Sequence, residues 1–353
     1  MRNEAPWRDS CDRAFRPRWF ELSQTELDER FELLDLVLPD PSESDLAEAV
    51  RAGLREPSKK LPCRFFYDER GSKLFEEICD LPEYYLTRAE REILTEYVAQ
   101  ITAGLPADLT LVELGSGSAT KTWLLIEALL EDRDTLRFTP IDISKSALEA
   151  SSESLLADHP NLRILAVAGE YQDGIAALKD ENSGAELILW LGSSIGNLSR
   201  PEAADFLGGI RTSMSLDDRL LVGIDLRKSA AVLEPAYDDS ARVTAAFNLN
   251  ILERINRELG GQFDLDAFDH LARYDVEEGR IEMYLVSGSD QSVRIDDLDM
   301  DVSFVRGERI HTENSYKYSL AEIDTLAQST DLILDDQWFD SQKRFSLNLL
   351  RRR

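Results

Sequence analysis

Cysteine, histidine and lysine are all scarce in this 353-residue chain, and each shortage closes a route. Cys11, Cys63 and Cys79 are too few and too scattered for a disulfide framework, and no CxxC pair suggests zinc. His159, His270 and His311 form neither an HxxxH nor an HExxH pattern, so no metal is expected. Basic residues number 40 against 68 acidic ones, with only nine lysines, and the net charge is -28. Such a chain is repelled by phosphate backbones, which argues against nucleic acid as a partner. The acidity is compatible with a salt-rich cytoplasm and equally with a GC-rich genome, and it bears on solubility rather than activity. Long hydrophobic runs are missing too: the strongest, around Leu187–Leu191, falls far short of a membrane span. The first twenty residues are charged and lack the apolar centre of a secretory signal. A cytoplasmic monomer without membrane attachment is the expectation.

What is present is 43% hydrophobic residues, enough for a sizeable core in one large domain or two moderate ones. Residues 1–40 read as an N-terminal extension ending in a Pro/Ser/Asp linker, with Ser42 or Ser44 placed to cap a helix through Leu46–Leu54. An aromatic-rich stretch follows, with a short helix after Gly71 and another from Thr87 or Arg88. From residue 109 five apolar, β-rich runs alternate with helical patterns such as Lys145–Leu156 and Pro201–Ser213. That alternation predicts a parallel, Rossmann-like sheet covered on both faces. After Lys228 a helix stopping at Gly260-Gly261 precedes antiparallel strand patterns, and a helix at Leu320–Gln328 leads to two last strands. The expected fold is therefore α/β, with a second α+β lobe inserted before the end of the sheet. The expected division is residues 41–89 plus 228–314 for that lobe and 90–227 plus 315–353 for the main domain, and the N-terminal segment could join the inserted lobe.

The first β-rich run ends in Val112-Glu113-Leu114 and turns through Gly115-Ser116-Gly117 into a helix expected near Thr120. Glycines there let a ligand approach the backbone. Asp142, 27 residues after Gly115 at the end of the next run, is placed to accept from two ribose hydroxyls. Neither GxGxxG nor GxxxxGK[ST] is complete. Glu113 before the glycines suits the ammonium of S-adenosylmethionine, and Glu170-Tyr171 can border an adenine. A methyltransferase, a dehydrogenase and a plain αβ protein with tight turns all remain open on this pattern alone.

Longer motifs narrow the choice. FFYDERGSKLFEEICDLPEYYLTRAEREIL, ELGSGSATKT, LGSSIGNL, AYDDSARVTAAFNLNIL and IHTENSYKY together resemble the histidine-specific Nα-methyltransferases of ergothioneine biosynthesis, from about residue 48 onward. The resemblance implies S-adenosylmethionine-dependent trimethylation of the α-amine of free L-histidine to hercynine. By motif position it implies a cofactor site of Glu113, Gly115, Gly117, Lys121, Asp142, Glu170 and Tyr171. Tyr84, Asn197 and Tyr237 would hold the substrate carboxylate, and Tyr67 and the Gly192 backbone would face the amine, with Thr244 and Phe247 nearby. Glu313 and Ser315 would hold the imidazole beside Met283.

Elementary chemistry agrees with part of this. A carboxylate and a hydroxyl complement a ring with one N–H and one acceptor nitrogen. Positions 313 and 315 are two apart on an expected strand and so share a face. Read without the family, the same pair is a charged edge strand, and the tyrosines are packing between lobes. Where the family often has Asp-Phe or a similar acid-aromatic pair, this chain has Glu170-Tyr171, whose longer acid bears on the adenine contacts. Asn314 and Tyr316 should alternate away from the Glu313 face. A fused sulfoxide synthase is disfavoured by length and histidine content, and a nucleic-acid or glutamine methyltransferase by the lack of [DN]PP[YF]. The remaining alternatives are a same-fold enzyme for another small amino acid or amine, and a non-catalytic S-adenosylmethionine-binding protein.

Overall fold

The computed structural model describes residues 29–36, 42–117, 119, 121–178 and 184–353. The apolar runs are strands: β2 (Thr110–Leu114), β3 (Leu136–Asp142), β4 (Leu162–Ala168), β5 (Glu186–Trp190) and β6 (Arg219–Asp225). They pair in parallel, and β2 is buried at every position, as a strand covered on both faces requires. With β1 (Phe31–Asp35), β12 (Leu332–Phe339) and β13 (Phe345–Arg352), they form an eight-stranded sheet of order β1-β4-β3-β2-β5-β6-β13-β12. The last two strands run antiparallel to their neighbours, so only the β1–β6 portion is parallel.

The helices are α1 (Ser42–Gly53), α2 (Glu69–Asp80), α3 (Leu86–Ile101), α4 (Trp123–Glu131), α5 (Lys145–Asp158), α6 (Tyr171–Leu178), α7 (Arg200–Ser213), α8 (Ala230–Tyr237), α9 (Val243–Leu259) and α10 (Leu320–Ser329). Their ends follow local chemistry. Ser199 with Glu202 and Ser319 with Glu322 form reciprocal capping boxes on α7 and α10, and Gly260 closes α9 in the left-handed conformation. The capping expected of Ser42 or Ser44, and the helix start expected at Thr120, lie outside the described side chains and residues. Regular helix there begins at Trp123.

Between β6 and β13 the chain builds a three-stranded antiparallel sheet, β11-β8-β7, from β7 (Phe268–Asp275), β8 (Arg280–Ser287) and β11 (Arg309–Tyr316). A hairpin of β9 (Gln291–Ile295) and β10 (Met300–Phe304) accompanies it. The division points expected at 89/90 and 314/315 fall inside α3 and β11. The N-terminal segment also differs from expectation. Phe31–Asp35 does not join the inserted lobe but adds a parallel edge strand to β4, pairing Phe31 with Ile164 through Asp35 with Ala168. FELLD carries Glu and Leu, good helix formers, so only the exposed edge of β4 makes it a strand.

The strand order reverses between β2 and β5, whose neighbours lie on opposite sides. Open α/β sheets bind ligands in the crevice at the strand C-termini at such a point. Gly115 and Gly192 follow those two strands.

Candidate active site

Two regions meet at that crevice. The first is the glycine turn after β2. Gly115 has φ +73 and Gly117 φ +48, and a Cβ on Gly115 would lie 2.5 Å from the Tyr171 hydroxyl, so any side chain there is strained and must displace that ring. The Gly117 N–H donates to Asp142 Oδ2 at 3.1 Å, and the Ser144 N–H donates to Asp142 Oδ1 at 2.9 Å. Glu113 is buried. Thr122 Oγ1 donates to its Oε1 at 2.5 Å, while Oε2 is buried with no partner among the described residues. Burial pushes this carboxyl up to about 8. An orphaned buried carboxylate oxygen beside a glycine cradle, with an acid at the next strand's end, fits the ammonium and ribose of S-adenosylmethionine. Tyr171 opens α6 over Gly115, whereas Glu170 before it is exposed.

The second region is a cavity. Tyr67, Tyr84, Gly192, Asn197 and Tyr237 line it together with Thr244, Phe247, Met283, Glu313 and Ser315, which brings all ten expected substrate-side residues to one place. Phe75, Ile78, Leu86, Ser193, Ser194 and Ala236 complete the lining.

Local structure explains each position. Tyr67 ends a 3-10 turn at Cys63–Phe66, and Asp68 after it caps α2 by accepting from the Gly71 N–H at 2.7 Å. Gly71 is obligatory, since a Cβ there would sit 1.7 Å from the Phe66 carbonyl oxygen. Asn250 and Arg257 on α9 donate to the same Asp68 at 2.8 and 2.6 Å, holding the Tyr67 loop against that helix. Aromatic rings then pack edge to face along one wall. Tyr67 lies 5.5 Å from Phe75 and 5.6 Å from Phe247, and Tyr84 lies 6.3 Å from Phe75 and 6.1 Å from Tyr237, between centroids. Burial, then the nearby Glu313, pushes the Tyr67 phenol well above its ordinary range, so it stays protonated.

On β11, strand register places Met283 of β8 directly across from Glu313, after a bulge at His311/Glu313. Glu313 is 9% exposed, and among the described residues its carboxylate has no hydrogen-bond donor. Burial pushes it up to about 7, with Lys317 pulling the other way. Asn314 and Tyr316 leave on the opposite face: Asn314 meets His311 at 3.0 Å, and the Tyr316 ring stacks under Arg200 and Arg280.

Sequence reasoning missed the groups that join and back these regions. Glu90, fully buried on α3, accepts from Lys121 Nζ at 2.5 Å and from the Gly192 N–H at 2.9 Å, tying the cofactor turn to the cavity. Its signal was an acid on the apolar stripe of Leu86, Ile93 and Leu94. Behind the cavity Asp225, Lys228, Lys317 and Tyr85 form one hydrogen-bonded cluster. Tyr85 Oη donates to Asp225 at 2.8 Å, and Lys228 and Lys317 approach its two oxygens at 2.6 and 2.9 Å. Phe75 gave no signal beyond one aromatic among many.

Comparison with known proteins places the chain in a family. The sequence profile of the family described as "Histidine-specific methyltransferase, SAM-dependent" matches residues 46–352. The histidine N-alpha-methyltransferase of Mycolicibacterium smegmatis is 40% identical over 317 residues, covering 90% of this chain and 98% of that one. The protein of the same name from Mycobacterium tuberculosis is 41% identical over 304 residues, covering 86% and 94%. Ergothioneine biosynthesis protein 1 of Neurospora crassa is 32% identical over 289 residues, covering 80% of this chain and 32% of its own length. With a family profile spanning nearly the whole chain and relatives matched end to end, the chain belongs to the histidine-specific, S-adenosylmethionine-dependent methyltransferases.

Proposed function

We propose that the chain transfers methyl groups from S-adenosylmethionine to the α-amine of free L-histidine, three times in succession to hercynine, as the first step of ergothioneine biosynthesis. The observation that carries this reading is Glu313, a buried carboxylate without a donor among the described residues, beside Ser315 in a cavity that opens at Gly192 next to Lys121. A buried acceptor left unpaired is costly, and a ring N–H relieves it.

The roles follow from the groups present. Glu313 and Ser315 hold the imidazole, with Met283 against its face. Tyr84 and Asn197 take the carboxylate, and Tyr237 stands between the two ends. Thr244 and Phe247 close the side of the cavity facing Tyr67. On the other side of Gly192, the cradle of Gly115 and Gly117 with Glu113, Lys121, Asp142, Glu170 and Tyr171 holds the cofactor. The bound cofactor supplies a methyl already activated on a sulfonium.

The protein's task is then alignment and proton loss from the amine. The Gly192 N–H is committed to Glu90, which leaves its carbonyl as the backbone group available to the amine. Tyr67, held as a neutral phenol, orients the lone pair rather than acting as a strong base. Exclusion of water by the aromatic wall disfavours the ammonium form. After the last transfer the product cation rests against Tyr67, Phe75 and Phe247, whose faces attract it without hydrogen bonds.

In this reading the inserted α+β lobe carries the substrate and the eight-stranded sheet the cofactor, with the boundaries moved outward to the ends of α3 and β11. Among the described residues no helix is long and apolar enough to cross a membrane. We take the enzyme to act as a cytoplasmic monomer on a free small molecule. The test incubates the protein with S-adenosylmethionine and the twenty free amino acids and reads products by mass. Trimethylated histidine alone is expected, and no methylated histidine would sink the reading.

A further inference from the structure

Strand alternation carries Glu313, Ser315 and Lys317 to one side of β11 and its extension. Glu313 and Ser315 line the cavity, while Lys317 lies behind them with no solvent exposure. Its ammonium has three N–H bonds and three partners: Tyr237 Oη at 2.7 Å, Ser315 Oγ at 3.0 Å and Asp225 Oδ2 at 2.9 Å. Burial works against the charge, yet Asp225 outweighs it and holds Lys317 above the ordinary lysine range. Tyr237 Oη and Ser315 Oγ are themselves 2.9 Å apart.

Counting protons decides what the cavity sees. The two hydroxyls own one hydrogen each, and one of these lies between the two oxygens. Either oxygen could donate across that contact, and the phenol, as the more acidic hydroxyl and the better donor, is assigned the hydrogen between them. The Ser315 oxygen then accepts from both Lys317 and Tyr237, which fills its two lone pairs. Among the described residues no further acceptor meets Ser315, so its own hydrogen is left to the cavity.

We propose that Lys317 is a specificity-determining positioning residue: by occupying Ser315 as an acceptor, it makes that hydroxyl an obligate donor to the substrate ring. The cavity end then offers one acceptor, Glu313, and one donor, Ser315. It admits a neutral ring with one N–H and one bare nitrogen. An imidazolium would set two donors against each other at Ser315, and a ring lacking the bare nitrogen would leave the Ser315 hydrogen unpaired in a dry site. The inference rests on the histidine reading above and adds which protonation state and tautomer of the ring the site selects.

Two measurements test it. First, nitrogen NMR of ring-labelled histidine bound to the unaltered protein at neutral pH should show one pyridine-like and one pyrrole-like nitrogen. Two protonated ring nitrogens overturn the proposal. Second, calorimetry compares histidine with the better-bound isomer of pyrrolylalanine, which keeps a ring N–H but lacks the acceptor nitrogen. The unaltered protein should prefer histidine by roughly 10- to 100-fold. In Lys317→Met that preference should collapse to within a few-fold, because the Ser315 hydroxyl, relieved of one of its two donors, can rotate its hydrogen away from the ring and present a lone pair instead. Asp225 keeps Lys228 and Tyr85 in this variant. A preference kept intact, with both ligands weakened equally, makes Lys317 merely structural and overturns the proposal. Should Lys317→Met fail to fold, the NMR result on the unaltered protein decides alone. Failure of the unaltered protein to bind histidine at all is a separate outcome, and it strikes the functional reading itself.

Discussion

In the proposed reading the glycine turn and the aromatic cavity, on either side of Gly192, hold their ligands by different means. The turn works through backbone: positive-φ glycines, a strand terminus and two acids within thirty residues of one another. The cavity works through side chains drawn from α2, α3, α8, α9, β8, β11 and the loops between them, spanning Tyr67 to Ser315. A cofactor shared by many enzymes can be held by a compact local device. A particular amino acid needs a donor and an acceptor at a set separation within a dry aromatic box, which no single segment supplies. Glu90 is the exception that joins the two, since its carboxylate serves Lys121 and Gly192 together.

Breaking that joint should have the largest effect. Glu90→Ala strands Lys121 and the Gly192 N–H, and removing one partner of a buried pair costs about 3–5 kcal/mol. Thermal unfolding should shift accordingly, and calorimetry should find both histidine and S-adenosylmethionine binding impaired. Loss of only one ligand would show that the two regions are independent.

Glu313→Ala should separate them instead. In the proposed reading it removes a charge-assisted hydrogen bond to the ring, so histidine binding should weaken roughly 100-fold while S-adenosylmethionine binding stays within about two-fold. Equal losses would make Glu313 a packing residue.

The same carboxyl yields a stability prediction of opposite sign. Its folded value of about 7 lies above the ordinary 4.5. The ligand-free fold therefore binds an extra proton between those values and loses stability as pH rises through that window. Glu313→Gln should accordingly raise the melting temperature of the ligand-free protein at mildly alkaline pH, by the equivalent of about 1–3 kcal/mol, and should do little below the ordinary value. Glu113 is likewise raised by burial and gives the unaltered protein a further decline toward pH 8, which Glu313→Gln leaves in place. No stabilisation in that variant would mean Glu313 has a partner in solution.

The smallest effect should come from Gly115→Ala, which forces a Cβ at φ +73 against the Tyr171 hydroxyl. The ring can shift, so S-adenosylmethionine affinity should fall roughly ten-fold with histidine affinity nearly unchanged. A matching loss of histidine binding would show that the turn also shapes the cavity.

The reading from sequence went furthest where structure is written locally. The five apolar runs are parallel strands β2 to β6, since a strand buried on both faces has no polar alternation to hide it. The stop at Gly260-Gly261 and the helix from Leu320 carry their own capping chemistry. FELLD was illegible because an edge strand of mixed composition is decided by the neighbour it meets. Glu90 and Lys317 were passed over because each reads as one more charge in a chain rich in them. Lys317 continues the 313/315 alternation, but nothing in the pattern says that Asp225, some ninety residues earlier, waits behind it.

The amino-acid sequence by itself determined the sheet, the glycine cradle and, through its long motifs, the family. These depend on hydrophobic period and on residues close together in the chain. Only the tertiary structure decided that Glu90 bridges the glycine turn and the cavity and that Lys317, Tyr237 and Ser315 form one hydrogen-bonded cluster. A hydrogen-bond direction is a property of the whole network of donors and acceptors around an atom, and in this protein that network is assembled from segments far apart in the chain.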